Sequence, residues 1–205
     1  MTAVPAPIAN RRAGRGGPLA QVLVLARRAL PRCGRVVVLA IDGPSGSGKT
    51  TLAAQVSKAL GCPTVHMDDL FPGWDGLAAA PGLLTTQVLE PLARGEQAAY
   101  RRWDWHADDW ADLVAVPSTD LLVVEGCGCS LPPADRYAAV RVWVDAELSV
   151  RMARGIERDG EAYRPHWERW AAQEAVVFAR HGSRDHADLL VDTTPGHERV
   201  TSTDR

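Results

Sequence analysis

One stretch of the sequence, residues 36–52, limits the folds open to this chain more than any other. It reads VVVLAIDGPSGSGKTTL and contains the pattern Gly-x-x-x-x-Gly-Lys-Thr from Gly43 to Thr50. An apolar run precedes the pattern and a helix-compatible segment follows it, which is the strand, loop and helix context that a phosphate-binding loop requires. We therefore predict a nucleotide-binding loop here rather than an ordinary glycine-rich turn.

The residue types in this loop suit a polyphosphate. Glycines allow successive backbone N–H groups to turn inward around the phosphates, and the following helix directs its positive N-terminal end towards them. Lys49 supplies a cation for the β- and γ-phosphates, and the Thr50 hydroxyl is a candidate Mg²⁺ ligand. By itself such a loop indicates ATP or GTP and leaves the reaction open. The residues predicted to bind the nucleotide are Gly43, Pro44, Ser45, Gly46, Ser47, Gly48, Lys49, Thr50 and Thr51.

Length and composition indicate one ordinary globular domain. A chain of 205 residues can bury a substantial core, and a net charge of -2 with 46% hydrophobic residues does not indicate nucleic acid or membrane as a partner. The four cysteines include no C-x-x-C pair, which favours reduced thiols over a zinc site or a disulfide framework. The apolar segment 19–30 is too short to span a bilayer and is interrupted by two arginines. We expect a cytoplasmic protein without an export signal.

The two ends of the chain differ from its middle. No Asp or Glu precedes Asp42, whereas seven arginines do. Residues 1–17 therefore predict a disordered basic tail, with an arm that binds an acidic partner as the alternative. We predict a single domain over residues 18–195 and a loose polar tail over residues 196–205.

Apolar runs alternate with helical patterns along the domain, which predicts an α/β fold with about five parallel strands and helices on both faces. The predicted strands are residues 35–41, 64–67, 120–126, 140–145 and 187–192, and the main predicted helices are residues 18–30, 49–60, 85–92, 148–156 and 166–180. Ligands of such a sheet bind at the C-terminal ends of the strands. Asp68, Glu125 and the arginines that follow Asp145 are placed there, beside the phosphate-binding loop.

Residues 70–118 have a looser pattern and are predicted to be an insertion that binds an acceptor. Two classes of nucleotide-binding protein are not favoured. The chain lacks an Asn/Thr-Lys-x-Asp segment for reading guanine, and it is short for a motor of AAA type, whose Asp-Glu pair is replaced by a lone Glu125. Phosphoryl transfer to a small acceptor instead needs a base, Mg²⁺ ligands and cations. Asp68, Thr50 with Glu125, and Arg154 with Arg158 suit these roles, although arginines at helical spacing are usually a solvated face.

The segment from Ala40 to Thr51 resembles the nucleoside-kinase-like branch of the P-loop kinases, typified by uridine kinase and including phosphoribulokinase. The resemblance is strong at the loop and looser over residues 35–192. It implies a P-loop NTPase fold with an Arg-bearing lid, here residues 150–165. In that family the base is an Asp in a segment similar to His66–Phe71, which implies that Asp68 takes this role.

Two further segments carry the resemblance. Glu125 and the glycine after it match the family's Glu-Gly pair, and the run around Arg154 and Arg158 resembles its lid. The family's Tyr-Asp-Phe segment resembles residues 103–105, which implies that Asp104 binds a substrate hydroxyl, with the neighbouring Trp103 and His106 in the substrate wall. The lid departs from the family in carrying a glycine at position 155, which leaves uridine itself open as the substrate.

The sequence thus predicts a kinase that depends on ATP and Mg²⁺ and phosphorylates a hydroxyl group of a small nucleoside or vitamin-like metabolite. Two alternatives stay open. A nucleoside monophosphate kinase would hold the acceptor phosphate with Arg94, Arg101 and Arg102, and a regulatory module would bind ATP without catalysis. We expect no nucleic-acid or membrane partner, and the oligomeric state is open. The predicted catalytic residues are Lys49, Asp68, Arg154 and Arg158; the predicted substrate-binding residues are Asp68, Trp103, Asp104 and His106; the predicted metal ligands are Thr50 and Glu125.

Overall fold

The computed structural model of the protein describes residues 16–160 and 164–203, and its centre is a six-stranded sheet. The strands in chain order are β1 (Val37–Asp42), β2 (Thr64–His66), β3 (Ala99–Asp104), β4 (Asp109–Ala115), β5 (Leu121–Glu125), β6 (Ala138–Asp145), β7 (Leu189–Asp192) and β8 (Arg199–Ser202). The central sheet has the order β2-β5-β1-β6-β7-β8, and its first five members are parallel. The predicted α/β fold with a parallel sheet is confirmed.

Strand β1 lies in the middle of the sheet because it is apolar on both faces. Side chains alternate across a strand, so Val38 and Ala40 pack into one buried cluster while Leu39 and Ile41 pack into the other. Both neighbours of β1, β5 and β6, are hydrogen-bonded to it in parallel. This pairing aligns the ends of β1 and β5 and brings Asp42 and Glu125 to the same edge of the sheet.

The helices cover both faces of the sheet. They are α1 (Pro18–Arg28), α2 (Lys49–Leu60), α3 (Ala80–Leu84), α4 (Glu90–Ala93), α5 (Leu148–Asp159) and α6 (Arg164–His181). One π-helical turn, Thr85–Leu89, joins α3 to α4. Helices α1 and α2 share a cluster with Leu39, whereas Trp170 of α6 joins Leu84 and Phe71 on the opposite face. Helix α2 has the predicted bounds and ends at Gly61, whose φ of 63° is left-handed.

Strand β8 corrects the prediction of a loose tail over residues 196–205. It runs antiparallel to β7, with Val200 opposite Val191. The backbone of β8 satisfies the N–H and C=O groups at the open edge of β7, so a polar segment can form this strand through main-chain bonds. Residues 204 and 205 of the predicted tail lie outside the described residues.

The insertion also contains structure that the sequence pattern did not predict. Strands β3 and β4 form a separate two-stranded antiparallel sheet, and Trp103 lies opposite Trp110 across the pair. Residues 1–15 of the predicted basic tail and residues 161–163 of the predicted lid lie outside the described residues. Within the described ranges, no helix combines the length and the apolar character needed to cross a membrane.

Candidate active site

A cavity of about 910 Å³ lies at the C-terminal ends of β1, β2 and β5. Six segments line it: the phosphate-binding loop with the start of α2, the turn after β2, the turn between β3 and β4, the loop after β5, and parts of α5 and α6. The loop residues that reach the cavity are Ser45, Gly46, Gly48, Lys49, Thr50 and Thr51. Gly43, Pro44 and Ser47, which were also predicted to bind nucleotide, lie outside this lining.

The glycines of the loop are required by close packing. Gly43 has a φ of 139° and Gly46 a φ of 75°, values that favour glycine. A Cβ atom at Gly43 would overlap the carbonyl of Val144 on β6, and one at Gly46 would overlap the carbonyl of Arg151 on α5. The loop is therefore wedged between the sheet and the predicted lid helix. Gly43 is required for the packing of the loop against β6 and does not line the cavity.

Lys49 begins α2 and is only 6% exposed. Its Nζ donates to the Pro44 carbonyl at 2.9 Å and lies 3.5 Å from the Cys127 Sγ. Burial by itself would lower the pKa of this ammonium group, but the surrounding Cys127, Glu174, Glu125 and Asp68 raise the pKa above its usual range. Lys49 is thus a buried, charged donor at the floor of the cavity.

Thr50 and Glu125 form the predicted metal position. The Thr50 Oγ1 lies 3.3 Å and 3.4 Å from the two carboxylate oxygens of Glu125. His66 Nδ1 lies 2.6 Å from Glu125 Oε1, and this hydrogen bond raises the pKa of His66. A hydroxyl and one carboxylate fit Mg²⁺, which usually takes few protein ligands together with water and phosphate oxygens. In the described parts of the chain, no group of three His, Cys, Asp or Glu side chains could hold a metal ion without such help.

The two neighbouring aspartates after β2 have different surroundings. Asp68 lines the cavity, while the Asp69 Oδ2 accepts a hydrogen bond of 3.0 Å from the Tyr100 hydroxyl on β3. Strand β2 ends at His66, and both aspartates lie in a 3-10 turn, Met67–Asp69. The turn rotates successive side chains about its axis, and this rotation separates the two carboxylates.

The environment of Asp68 suits a proton acceptor. Its carboxylate is reached by solvent within the cavity but is surrounded by protein, and this desolvation raises its pKa. The neighbouring carboxylate of Glu125 raises the pKa further, while Lys49 and Arg158 oppose the shift. A raised pKa moves an aspartate towards the range that general bases use near neutral pH.

Two arginines of α5 lie at the site, Arg154 half-buried and Arg158 exposed. Arg154 donates to the Gly46 carbonyl at 3.3 Å and to the Thr193 hydroxyl and carbonyl at 2.9 Å each. Arg158 also lines the cavity and forms an ion pair of 2.7 Å with Asp159. Both predicted lid cations therefore lie at the cavity, with Arg154 attached directly to the phosphate-binding loop.

Aromatic side chains form one wall of the cavity, called here the aromatic wall. Trp74 stacks on His166 of α6 with ring centroids 4.4 Å apart and packs 4.9 Å from Trp105. Trp170 of α6 meets Phe71 edge to face at 4.7 Å. All five rings line the cavity. A wall of this kind favours a flat, partly apolar group.

Three predicted substrate residues do not reach the lining. Trp103 packs against Trp110 at 5.1 Å within the hairpin. The Asp104 Oδ1 accepts the backbone N–H groups of His106 at 2.8 Å and Ala107 at 3.1 Å, so this carboxylate caps the turn between β3 and β4. Of the tetrad from Trp103 to His106, the structure brings Trp105 to the cavity, because the turn reverses the chain at that point.

The arginines that a nucleoside monophosphate kinase would need are also elsewhere. Arg94 pairs with Glu96 at 2.8 Å, and Arg102 lies 3.5 Å from Asp112 on the exposed hairpin. Arg101 is exposed on β3. None of the three belongs to the cavity lining.

Several site residues carried no local signal in the sequence. His66, Trp74, His166 and Glu174 come together only through contacts between distant segments. Trp170 is 5% exposed, and one part of its ring lines the cavity.

Comparison with known proteins gives the relationships of the chain. A family model described as AAA domain matches residues 39–176. The chain is 30% identical over 169 residues to a cytidylate kinase of Pyrobaculum arsenaticum, and the match covers 78% of this chain and 85% of the relative. It is 27% identical over 165 residues to a cytidylate kinase of Haloquadratum walsbyi, covering 77% and 81%.

A solved structure shares the fold. It is a Bacillus stearothermophilus protein described as a possible uridine kinase, and it superposes with a TM-score of 0.60 at 22% identity, covering 84% of this chain and 96% of the other. Strand β5 of this chain ends in the single acidic residue Glu125. The chain belongs to the family of this AAA domain and is a P-loop kinase.

Proposed function

We propose that the protein is a kinase that depends on ATP and Mg²⁺ and transfers the γ-phosphoryl group to a hydroxyl of a small acceptor with a flat ring. The observation that carries the proposal is the position of Asp68. This carboxylate lines the cavity between the phosphate-binding loop and the aromatic wall, which is where the acceptor hydroxyl would meet the nucleotide.

The residues of the chain divide the chemistry among themselves. The backbone N–H groups of the loop and Lys49 bind the phosphates, and Thr50 with Glu125 would hold Mg²⁺. When bound, Mg²⁺ supplies charge neutralisation on the β- and γ-phosphates. Arg154 and Arg158 face the same space and favour the charge that develops on the transferred group.

Asp68 accepts the proton of the acceptor hydroxyl as the oxygen–phosphorus bond forms. The proton moves to a carboxylate oxygen, and the bond between the γ-phosphorus and the bridging oxygen breaks, which leaves ADP. The raised pKa of Asp68 makes it a stronger base than an ordinary aspartate. Asp69 cannot share this role while its carboxylate is bound to Tyr100.

The aromatic wall supports an acceptor with a planar ring, such as a nucleoside or a vitamin-like compound. Trp74, Trp105 and Trp170 offer ring faces and edges to such an acceptor within the cavity. Stacking of this kind binds many flat rings and does not by itself select one.

A nucleoside monophosphate kinase is the second candidate, and the cytidylate kinase relatives favour it. An acceptor phosphate would need cations besides those that serve ATP. Arg94, Arg101 and Arg102 do not line the cavity, which favours a hydroxyl acceptor. Arg158 is the cavity cation that could be shared between the two phosphates if a nucleotide were the acceptor.

The test uses matched pairs of acceptors that differ by one phosphate. ADP release would be measured with MgATP and cytidine, CMP, uridine, UMP or a set of vitamin precursors, and phosphorus NMR would identify the product. We expect stimulation by an uncharged hydroxyl compound and a phosphomonoester product. Conversion of CMP or UMP to a diphosphate would support the second candidate, and ADP release that no acceptor stimulates would support a regulatory module.

A further inference from the structure

One buried carboxylate has no part in the chemistry described above. Glu174 of α6 is 3% exposed, and its Oε1 accepts three hydrogen bonds from three separate segments. The donors are the Ser45 N–H at 2.6 Å, the Trp170 Nε1 at 2.9 Å and the Cys127 Sγ at 3.1 Å. Its Oε2 lies 3.6 Å from the Arg151 guanidinium. A buried carboxylate is costly unless it is satisfied in this way.

The contact with Ser45 matters because it binds a backbone N–H group of the loop, whereas Lys49 and Arg154 bind carbonyl groups of the loop. Pro44 has no N–H group, and the glycines at 43 and 46 have no side chains to pack. The Gly43 N–H is bound by Asp42 at 2.7 Å, so Ser45 is the next donor along the loop, and Glu174 binds it. Hydrogen bonds to a carboxylate are shorter and stronger than neutral ones, in line with the 2.6 Å distance.

The hydrogen bond from Trp170 joins the same oxygen of Glu174 to the aromatic wall. Trp170 and Glu174 lie one turn apart on α6, so the hydrogen bond fixes the indole ring in the orientation that lines the cavity. The ring then meets Phe71 edge to face. A movement of α6 that carried Trp170 away from the cavity would also withdraw the Glu174 carboxylate from the Ser45 N–H.

We propose that Glu174 is a positioning residue that links the phosphate-binding loop to the aromatic wall. A fixed conformation of the loop then favours a fixed orientation of Trp170 in the wall, and the reverse also holds. The inference rests on the proposed function, since it assumes that the loop binds MgATP. Glu174 acts through Ser45 and Trp170 and does not touch the reacting atoms.

The charge of Glu174 also acts on Lys49. The opposite charges attract each other, and Cys127 lies between them, with its Sγ 3.5 Å from the Lys49 Nζ and 3.1 Å from the Glu174 Oε1. The loop, the lysine and the wall thus share one buried network.

The test compares Glu174→Gln with Glu168→Gln, a change of an exposed glutamate on the same helix. Affinity for MgATP would be measured by calorimetry, and exchange of backbone amides over residues 43–52 by mass spectrometry. We expect Glu174→Gln to weaken MgATP binding about tenfold and to speed exchange in the loop, since a hydrogen bond to a charged group is lost or weakened. Glu168→Gln should match the wild type in both measurements.

A double-mutant cycle tests the link between the two subsites. Trp170→Phe keeps a ring but removes the donor, and its effect on MgATP affinity should be several-fold smaller in the Glu174→Gln background than in the wild type. A folded Glu174→Gln protein with unchanged affinity and unchanged loop exchange would overturn the proposal, and additive effects in the cycle would overturn the link. If the wild-type protein itself does not bind MgATP, the proposed function fails together with the role of Glu174. If the wild type binds MgATP and only the expected effects of Glu174→Gln are missing, the role of Glu174 fails alone, so the two failures are distinguishable.

Discussion

The ammonium group of Lys49 is buried and positively charged at the floor of the cavity, and we expect it to act on a phosphate group bound there. The Lys49→Ala variant should lose phosphoryl transfer by about two to three orders of magnitude, because a preorganised charge at the γ-phosphate is removed. The chain offers a matched control, because its one other lysine, Lys58, is exposed on the same helix. Turnover and thermal unfolding should be measured for both. Activity retained in folded Lys49→Ala protein would contradict the role of the loop.

Asp68 and Asp69 are adjacent in sequence and should respond differently to the same change. Asp68→Asn cannot accept a proton and should reduce turnover about 10²- to 10⁴-fold, with a smaller effect on MgATP affinity. Asp69→Asn can still accept the hydrogen bond from Tyr100, so turnover should stay close to that of the wild type. Steady-state kinetics on both variants decide the assignment. A crippled Asp69→Asn variant beside an active Asp68→Asn variant would reverse it.

Sequence reasoning at this scale reached the residues whose roles depend on local spacing. Lys49 and Thr50 follow from the loop pattern, and both lie at the cavity together with Asp68 and Glu125. It missed Glu174, whose partner Ser45 is 129 positions away along the chain. No spacing rule connects such a pair, because the two residues meet only through the packing of α6 against the phosphate-binding loop.

Strand β8 covers the edge of β7 that would otherwise be unpaired. Deleting residues 198–205 should lower the free energy of unfolding by about 1–3 kcal/mol, because the edge of β7 loses its partner and Val200 no longer packs beside it. The exposed edge should also promote association between chains. Thermal unfolding and size-exclusion chromatography would be compared with deletion of residues 204–205 alone. Equal stability and equal size of the two truncated proteins would contradict this role.

The central strands and the insertion differ in how far their sequences determine them. Strands β1, β5 and β6 are predominantly apolar, and their predicted bounds differ from the observed ones by at most two residues. The β3–β4 hairpin mixes charged residues with apolar ones on strands that are largely exposed, so its alternation is weak. Its turn, capped by Asp104, decides that Trp105 rather than Trp103 reaches the cavity.

For the whole molecule, the raised pKa of Asp68 makes both activity and stability depend on pH. The value of kcat/KM should fall as the pH drops through the folded-state pKa, at a higher pH than the ordinary value of 3.8. The free energy of unfolding should change in the opposite direction and decrease as the pH rises. A carboxyl group with a raised pKa contributes stability below its unfolded pKa and loses this contribution as the pH rises through its folded pKa.

Asp68→Asn should therefore be more stable than the wild type at neutral pH, and the difference should shrink under acidic conditions. Thermal unfolding at several pH values would measure this, with Glu168→Gln as the exposed control on α6. A variant that is less stable at neutral pH would show that the attraction of Lys49 and Arg158 outweighs the cost of burial.

The scarcity of lysine gives the molecule a chemical handle. An ATP analogue with an amine-reactive acyl phosphate would meet Lys49 inside the cavity, whereas Lys58 lies on the outer surface of α2 and would react without regard to nucleotide. The ratio of acylation at the two positions, read from peptide masses, would report how much of the protein holds nucleotide in a crude extract. Competing unmodified ATP would lower the signal at position 49 alone, so one digest would contain both the measurement and its internal standard.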